Sequence, residues 1–227
     1  MSIHSMSPIT VVPSLPAKSL EEIDALCTAL KGVASEIQVD IVDGQYVPLI
    51  SWPFTEKNPI EALSALSKYT DDFSIEMDCM VLNPEQYLDV FVELGVKRVV
   101  IHVGSTEAYD EIIAHAKHHG YTVGFALTND TPLDVVLQYI EDIAYVQLMG
   151  IKEVGQQGQP FDVRTLKRAS ELRVRFPELE IAVDGSVNED TIPQLYAAGV
   201  TRFAPGSAIV KTDDPEVSYK HLLSLVT

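Results

Sequence analysis

Three segments of the chain alternate apolar with polar residues and carry an acid near their end: EIQVDIV at 36–42, FSIEMDCM at 73–80 and LEIAVD at 179–184. Side chains on a strand point alternately to opposite faces. Ile37, Val39 and Ile41 therefore share one face, and Glu36, Gln38 and Asp40 the other. In the same way Ile75, Met77 and Cys79 oppose Glu76 and Asp78, and Ile181 and Val183 oppose Ala182 and Asp184. Apolar outside and acidic inside is the reverse of a solvent-facing sheet. A closed parallel barrel has this pattern when helices cover its exterior and chemistry occupies its mouth.

Strand and helix patterns alternate along the whole chain. The first strand is read at 9–12 (ITVV). Ser19 caps a helix with Glu21 and Glu22 in its first turn and Ile23, Leu26 and Leu30 as its apolar stripe. The second strand spans 36–42, and a long loop leads to a helix over 60–69. After the third strand at 73–80, Asn83 caps a helix with Pro84 in its first turn, which closes near Gly95. The remaining strands are read at 98–103, 122–127, 143–149, 179–184 and 202–204. Helices fall at 107–119, from Thr131, at 163–176, from an Asn188 cap to Gly199, and at 215–225. Eight β-then-α units predict an α/β protein, a single (β/α)8 TIM barrel over 1–227 with a short N-terminal extension at 1–8. A doubly wound open sheet is the rival, but it has fewer repeats at this length.

Hydrophobic residues make up 46% of the chain, enough for a substantial core. The 33 acidic against 16 basic residues, a net charge of −17, argue against nucleic acid, which needs Lys and Arg clusters. Any phosphate must then be held locally, by backbone amides. Cys27 and Cys79 read as buried free thiols. MSIHSMSP does not read as a signal peptide, and no stretch reaches the ~18 apolar residues of a membrane span. A soluble cytoplasmic protein is expected, without a membrane partner.

Barrel active sites lie at the C-terminal ends of the strands. The candidates there are Ser14, Gln38, Asp40, Asp43, Asp78, Met80, His102, Met149 and Asp184. DGS (184–186) and PGSA (205–208) follow two adjacent strands, where barrel phosphate sites are commonly built from glycine-bearing loops. GQQGQ (155–159) belongs to a loop long enough to fold over a ligand. His102 reads as a hydrogen-bonded structural histidine, and His115, His118 and His119 as solvated helix residues. By themselves, methionines at strand ends are core filling.

Over nearly its whole length the chain resembles the ribulose-phosphate 3-epimerase family of ribulose-phosphate-binding barrels. The segments that carry the likeness are VPSL (12–15), QVDIVDGQYVP (38–48), MVLNPEQY (80–87), VIHV (100–103), ALTNDTPLDVVLQYI (126–140), LMG with the glycine loop (148–158), VDGSV (183–187) and PGSAIV (205–210). The resemblance implies that two aspartates, here Asp40 and Asp184, face each other across a pentulose phosphate. One removes the proton at C3 and the other returns it from the opposite face, through an enediolate. It implies substrate or phosphate contacts from Ser14, Met80, Met149, Gly155, Gly158, Gly185, Ser186, Gly206 and Ser207, with Val42 in place of a third methionine. It also implies a divalent metal held by the two aspartates and two histidines.

The chain departs from the pattern at those histidines, where it has Gln38 and Asp78. The set left at the metal position is Gln38, Asp40, Asp78 and Asp184, all oxygen donors. Magnesium or manganese suits it better than zinc. The contrary outcome is a metal-free site with Gln38 donating an amide hydrogen bond to the enediolate. Two further functions stand beside the epimerase: a related barrel acting on another ketose phosphate, and a sugar-phosphate-binding protein without turnover. The expected partner is a small phosphorylated sugar, with a homo-oligomer possible. Trp52 and Tyr46, in the loop after the second strand, are read as a subunit contact ahead of a site wall.

Overall fold

The computed structural model describes residues 8–156 and 158–226. Residues 1–7 of the expected extension at 1–8, Gln157 of the glycine loop and Thr227 lie outside the described residues. Nine strands pair in parallel in the order β1-β9-β8-β7-β6-β5-β4-β3-β2. They are β1 (Thr10–Val11), β2 (Ser14–Leu15), β3 (Glu36–Val42), β4 (Ser74–Met80), β5 (Arg98–His102), β6 (Thr122–Leu127), β7 (Tyr145–Met149), β8 (Glu180–Asp184) and β9 (Arg202–Ala204). β1 and β2 are two parts of one extended segment, interrupted at Val12-Pro13. Thr10, Val12 and Ser14 donate backbone N–H groups to β9 and the residues flanking it, while the Pro13 carbonyl accepts from Gln38. The segment bonds to a neighbour on either side, and the eight-stranded barrel closes there. Proline has no N–H to give a ladder, so the seam is a place where it can stand.

The helices are α1 (Leu20–Leu30), α2 (Pro59–Leu63), α3 (Leu88–Glu93), α4 (Tyr109–His119), α5 (Asp134–Leu137), α6 (Arg164–Arg175), α7 (Ile192–Ala197), α8 (Ser207–Val210) and α9 (Pro215–Ser224). None of them is long and apolar enough to cross a membrane. The outward strand residues Ile37, Val39, Ile41, Ile75, Met77, Cys79, Ile181 and Val183 are buried in the main core, together with Ile23, Cys27 and Leu30 of α1. Both cysteines are buried and free.

The barrel interior is polar at its floor. Glu76 Oε2 lies 2.8 Å from Arg98 Nε and 3.3 Å from Arg202 Nη2, and it accepts from the Tyr145 hydroxyl at 2.9 Å. Arg202 also pairs with Glu36 at 2.8 Å, and Arg98 with Glu180. The Arg98 guanidinium stacks 4.1 Å from the Tyr145 ring centroid. Burial first, and then the Glu76 charge, hold the Tyr145 hydroxyl well above its usual range, so it stays a neutral donor. The ring has room because β6 carries Gly124 beside it. A Cβ there would lie 2.2 Å from the ring.

Several local expectations change. The helix expected over 60–69 is α2 followed by a 3₁₀ turn at Ser64–Tyr69. Asn83 does not cap: it is left-handed, with φ 53°, and leads into a 3₁₀ turn at Pro84–Tyr87 before α3 begins. Asparagine tolerates that region because its side chain is short and polar. The helix from Thr131 shrinks to α5. Asn188 Oδ1 accepts from the N–H groups of Asp190 and Thr191, so it caps the turn ahead of α7. Trp52 is 1% exposed and packs into the main core, which removes it from any subunit contact. Half-buried Tyr46 donates to the Val103 carbonyl.

Gly124→Ala is expected to cost about 2 kcal/mol or more, because β6 and the Tyr145 ring cannot both stay in place. Urea unfolding would show it as a lower midpoint, and adding Tyr145→Phe should not restore stability, since the ring remains.

Candidate active site

The mouth takes its shape from strand register. Asp40 is paired with Asp78 across β3 and β4, and Asp184 pairs with Met149 on one side and Ala204 on the other. A cavity of about 330 Å³ opens there. Ser14, Asp40, Met80 and Asp184 line its inner part, and Gly155, Gly158, Gly185, Ser186, Gly206 and Ser207 line its loop side. Val42, Ile151 and Asn188 join them. Met149 is fully buried behind this wall, packed with Met80, Val42 and Ile151, and does not line the cavity.

Among the described residues that line the cavity, none is Lys or Arg. The donors available to an anion there are backbone amides, hydroxyls and the side-chain amides of Gln156, Gln159 and Asn188. The ends of β7 and β8 are pressed together to form that side: a Cβ on Gly150 would lie 2.1 Å from the Gly185 carbonyl oxygen. Gly150 N–H donates to the Asp184 carbonyl at 2.6 Å. Ser186 is left-handed, with φ 54°, and its hydroxyl donates to the Gln159 carbonyl, tying the glycine loop to the end of β8.

Behind the cavity runs a buried polar chain. Ser14 Oγ donates to Asp40 Oδ2 at 2.8 Å. Gln38 Nε2 donates to Asp40 Oδ1 at 3.1 Å and to Asp78 Oδ2 at 3.2 Å. Gln147 Nε2 donates to the same Asp78 oxygen at 3.0 Å, and His102 Nε2 meets Asp78 Oδ1 at 2.8 Å. His102 is buried and hydrogen-bonded, as expected. Gln147 was not among the sequence candidates, although YVQLM places an amide on the inward face between Tyr145 and Met149. Asp43 shapes its turn as expected, accepting from Gln45 and Tyr46 N–H groups.

Burial pushes Asp40 up to about 7, and the neighbouring Asp78 charge adds to the effect; hydrogen bonds from Ser14 and Gln38 oppose it. Asp184 is held well above the ordinary carboxylate range, by burial first and then by Asp40 and Asp78. Two such groups across one cavity can be ionised and protonated respectively near neutrality.

The same side chains test whether a cation fits. Gln38 presents its amide nitrogen to both Asp40 and Asp78, so a donor stands between the two carboxylates. Both oxygens of Asp78 are already engaged. Among the described residues, the only three His, Cys, Asp or Glu side chains whose ligand atoms all lie within 4.8 Å of one another are Asp89, His115 and His119, outside the mouth. In this arrangement hydrogen bonds close the mouth: the Gln38 and Gln147 amide nitrogens turn to Asp78, while their amide oxygens are buried without partners.

The fold and cavity define a (β/α)8 barrel with paired buried acids beside a cavity lined by glycine and serine turns. A profile described as the Ribulose-phosphate 3 epimerase family matches residues 10–210, and the chain belongs to that family, whose members use a divalent cation. It is 31% identical to the ribulose-phosphate 3-epimerase of Schizosaccharomyces pombe over 91% of this chain and 89% of that one. It is also 31% identical to the Mycobacterium bovis enzyme of the same name, over 90% and 87%. A relative from Oryza sativa, 27% identical over 90% and 89%, is named a cytoplasmic isoform. Among solved structures, KGPDC from Streptococcus mutans superposes with a TM-score of 0.69 at 14% identity, covering 96% of this chain and 97% of that one. The 3-hexulose-6-phosphate synthase from Salmonella typhimurium does so at 0.71 and 14%, covering 96% and 98%. These two share the barrel fold.

Because both acids bind protons more tightly folded than unfolded, their contribution to stability is complete below the unfolded range near 4 and is lost as pH rises, through about 7 for Asp40 and through its own raised folded value for Asp184. Asp184→Asn should therefore stabilise the protein more at pH 8 than at pH 5. The difference between the two gains is the quantity that reports the raised affinity. Urea unfolding at the two pH values measures it, and an equal effect at both would refute the raised proton affinity.

Proposed function

We propose that this chain epimerises ribulose 5-phosphate at C3, with Asp40 and Asp184 as the proton-transferring pair. The observation that carries the reading is the pair itself: two buried carboxyls with raised proton affinity on one cavity whose far side is built of glycine and serine turns. The phosphate rests on the Gly185-Ser186 and Gly206-Ser207 turns. Gly155 and Gly158 cover it, and Ser14 and Met80 face the sugar.

Both proton affinities are raised, so one acid can hold its proton near neutrality while the other is ionised. Asp40 receives hydrogen bonds from Ser14 and Gln38, which favour its ionised form, so it supplies the carboxylate and Asp184 the proton. Asp40 takes the proton from C3, and the bonding pair moves toward C2 as the C2 carbonyl oxygen gains charge. Asp184 then delivers its proton to the opposite face of C3, which inverts that carbon. The reverse reaction exchanges the two roles. The developing charge is stabilised through the chain behind the wall: the Gln38 amide, bonded to Asp40 and Asp78, holds the acid pair in place as the proton moves.

Of the two sequence-based outcomes, the metal-free one has the support of geometry: the amide already occupies the gap between Asp40 and Asp78. Magnesium or manganese on Asp40, Asp78, Asp184 and Gln38 would require Asp78 to give up its present donors.

Proton NMR of ribulose 5-phosphate in deuterated water tests the reading. Xylulose 5-phosphate with deuterium at C3 is expected, at a rate that EDTA leaves within about twofold. Asp184→Asn should lower the rate by about 10²–10⁴-fold while the sugar phosphate still binds. Binding without exchange in the unaltered protein would favour the non-catalytic alternative. Loss of exchange in EDTA, restored by manganese, would overturn the metal-free mouth.

A further inference from the structure

One chemistry-bearing cluster stands apart from the mouth. α4 carries His115 and His119 one turn apart, and α3 carries Asp89 beside them. Residues four apart on a helix face the same way. Their three ligand atoms lie within 4.8 Å of one another, and the imidazole centroids are 4.3 Å apart. His115 Nε2 is 3.1 Å from Asp89 Oδ1. Two ligand atoms, each about 2.0–2.1 Å from a tetrahedral zinc ion, stand roughly 3.3 Å apart. The pair is already spaced as two ligands of one ion would be.

A second observation concerns the other nitrogen of the same ring. His115 Nδ1 lies 3.0 Å from the hydroxyl of Tyr121, which is buried just after α4. Ligating histidines are commonly fixed in this way, the distal N–H held by an oxygen so that the other nitrogen presents its lone pair. In the tautomer with Nδ1–H on the Tyr121 oxygen, Nε2 turns its lone pair toward the Asp89 carboxylate, and in the other Nε2–H donates to it. A cation bound between Nε2 and Asp89 takes the place of that proton, with Tyr121 accepting from Nδ1–H. Asp89 is 89% exposed in its side chain, so it can turn onto an ion without losing a buried partner.

We propose that Asp89, His115 and His119 form a zinc site that staples α3 to α4, with water completing the coordination. Two imidazoles and one carboxylate are a borderline-soft set that suits zinc and is poor for magnesium, which prefers oxygen throughout. The site is independent of the proposed epimerisation, since none of its residues lines the cavity.

Equilibrium dialysis of the full chain against micromolar zinc, followed by elemental analysis, tests it. One zinc per chain is expected, with a rise in Tm that magnesium does not reproduce and EDTA reverses. His119→Ala and Asp89→Asn change exposed side chains, so folding should be retained, and each should weaken zinc binding at least tenfold. Tyr121→Phe keeps the ring and removes only the hydroxyl; it should weaken binding about tenfold, an effect that incidental capture by surface histidines would not show. No zinc retained would overturn the proposal. So would one zinc held undiminished in His119→Ala, and that result would direct attention to the mouth instead. NMR exchange unchanged in His119→Ala keeps the two readings separable.

Discussion

Glu76 is the ion around which the barrel interior is arranged. A carboxylate 1% exposed in the middle of a sheet is tolerable only if it is paired and hydrogen-bonded. Arg98, Arg202 and the Tyr145 hydroxyl supply that surrounding. Their demands then propagate. The Tyr145 ring requires Gly124 on β6, and Arg98 and Arg202 are further held by Glu180 and Glu36 at the strand starts. The strands from β3 to β9 are thereby keyed to one another at the floor. Above it Val100, Ala126 and Ala182 lie beside the Tyr145 ring as a thin apolar layer. The acids of the mouth thus rest on a charge-compensated base, and their own excess of negative charge is left for protons and amides to settle.

Much of this was legible in the sequence because strand parity is a strict constraint. Once Ile37, Val39 and Ile41 face out, Gln38 and Asp40 must face in, and the same reasoning placed Asp78 and Asp184. The register of parallel strands then brings Asp40 level with Asp78. The parts that were not legible depend on what sits across the barrel. Nothing local to YVQLM says that the Gln147 amide reaches Asp78, a residue 69 positions away. Trp52 lies in a loop with no strand or helix periodicity to place it, yet it is drawn into the core, where its backbone N–H bonds to the Ala17 carbonyl. Asn83 looks like a helix cap because Pro84 follows it, but its own N–H is committed to Ser105, and the backbone turns left-handed instead.

The family likeness was visible for a different reason. Turn chemistry leaves short fixed strings, such as VDG and PGS, that local geometry demands. Gly150 and Gly185 must pass within contact of each other, and that narrows what either position can hold. Metal ligation leaves no such backbone trace. The exchange of histidines for Gln38 and Asp78 could be seen in the sequence, whereas its accommodation by Gln147 and His102 needed the three-dimensional arrangement.

The Gln38 amide has an evolutionary consequence. Asp78 is held at once by Gln38, Gln147 and His102, so these positions share one partner and their substitutions will not combine additively. Histidine at position 38 alone would still face an Asp78 bound by the other two donors. On the proposed metal-free reading, replacing one of the three donors alone leaves a buried carboxylate short of a partner and without a cation, so the three positions are constrained as a set.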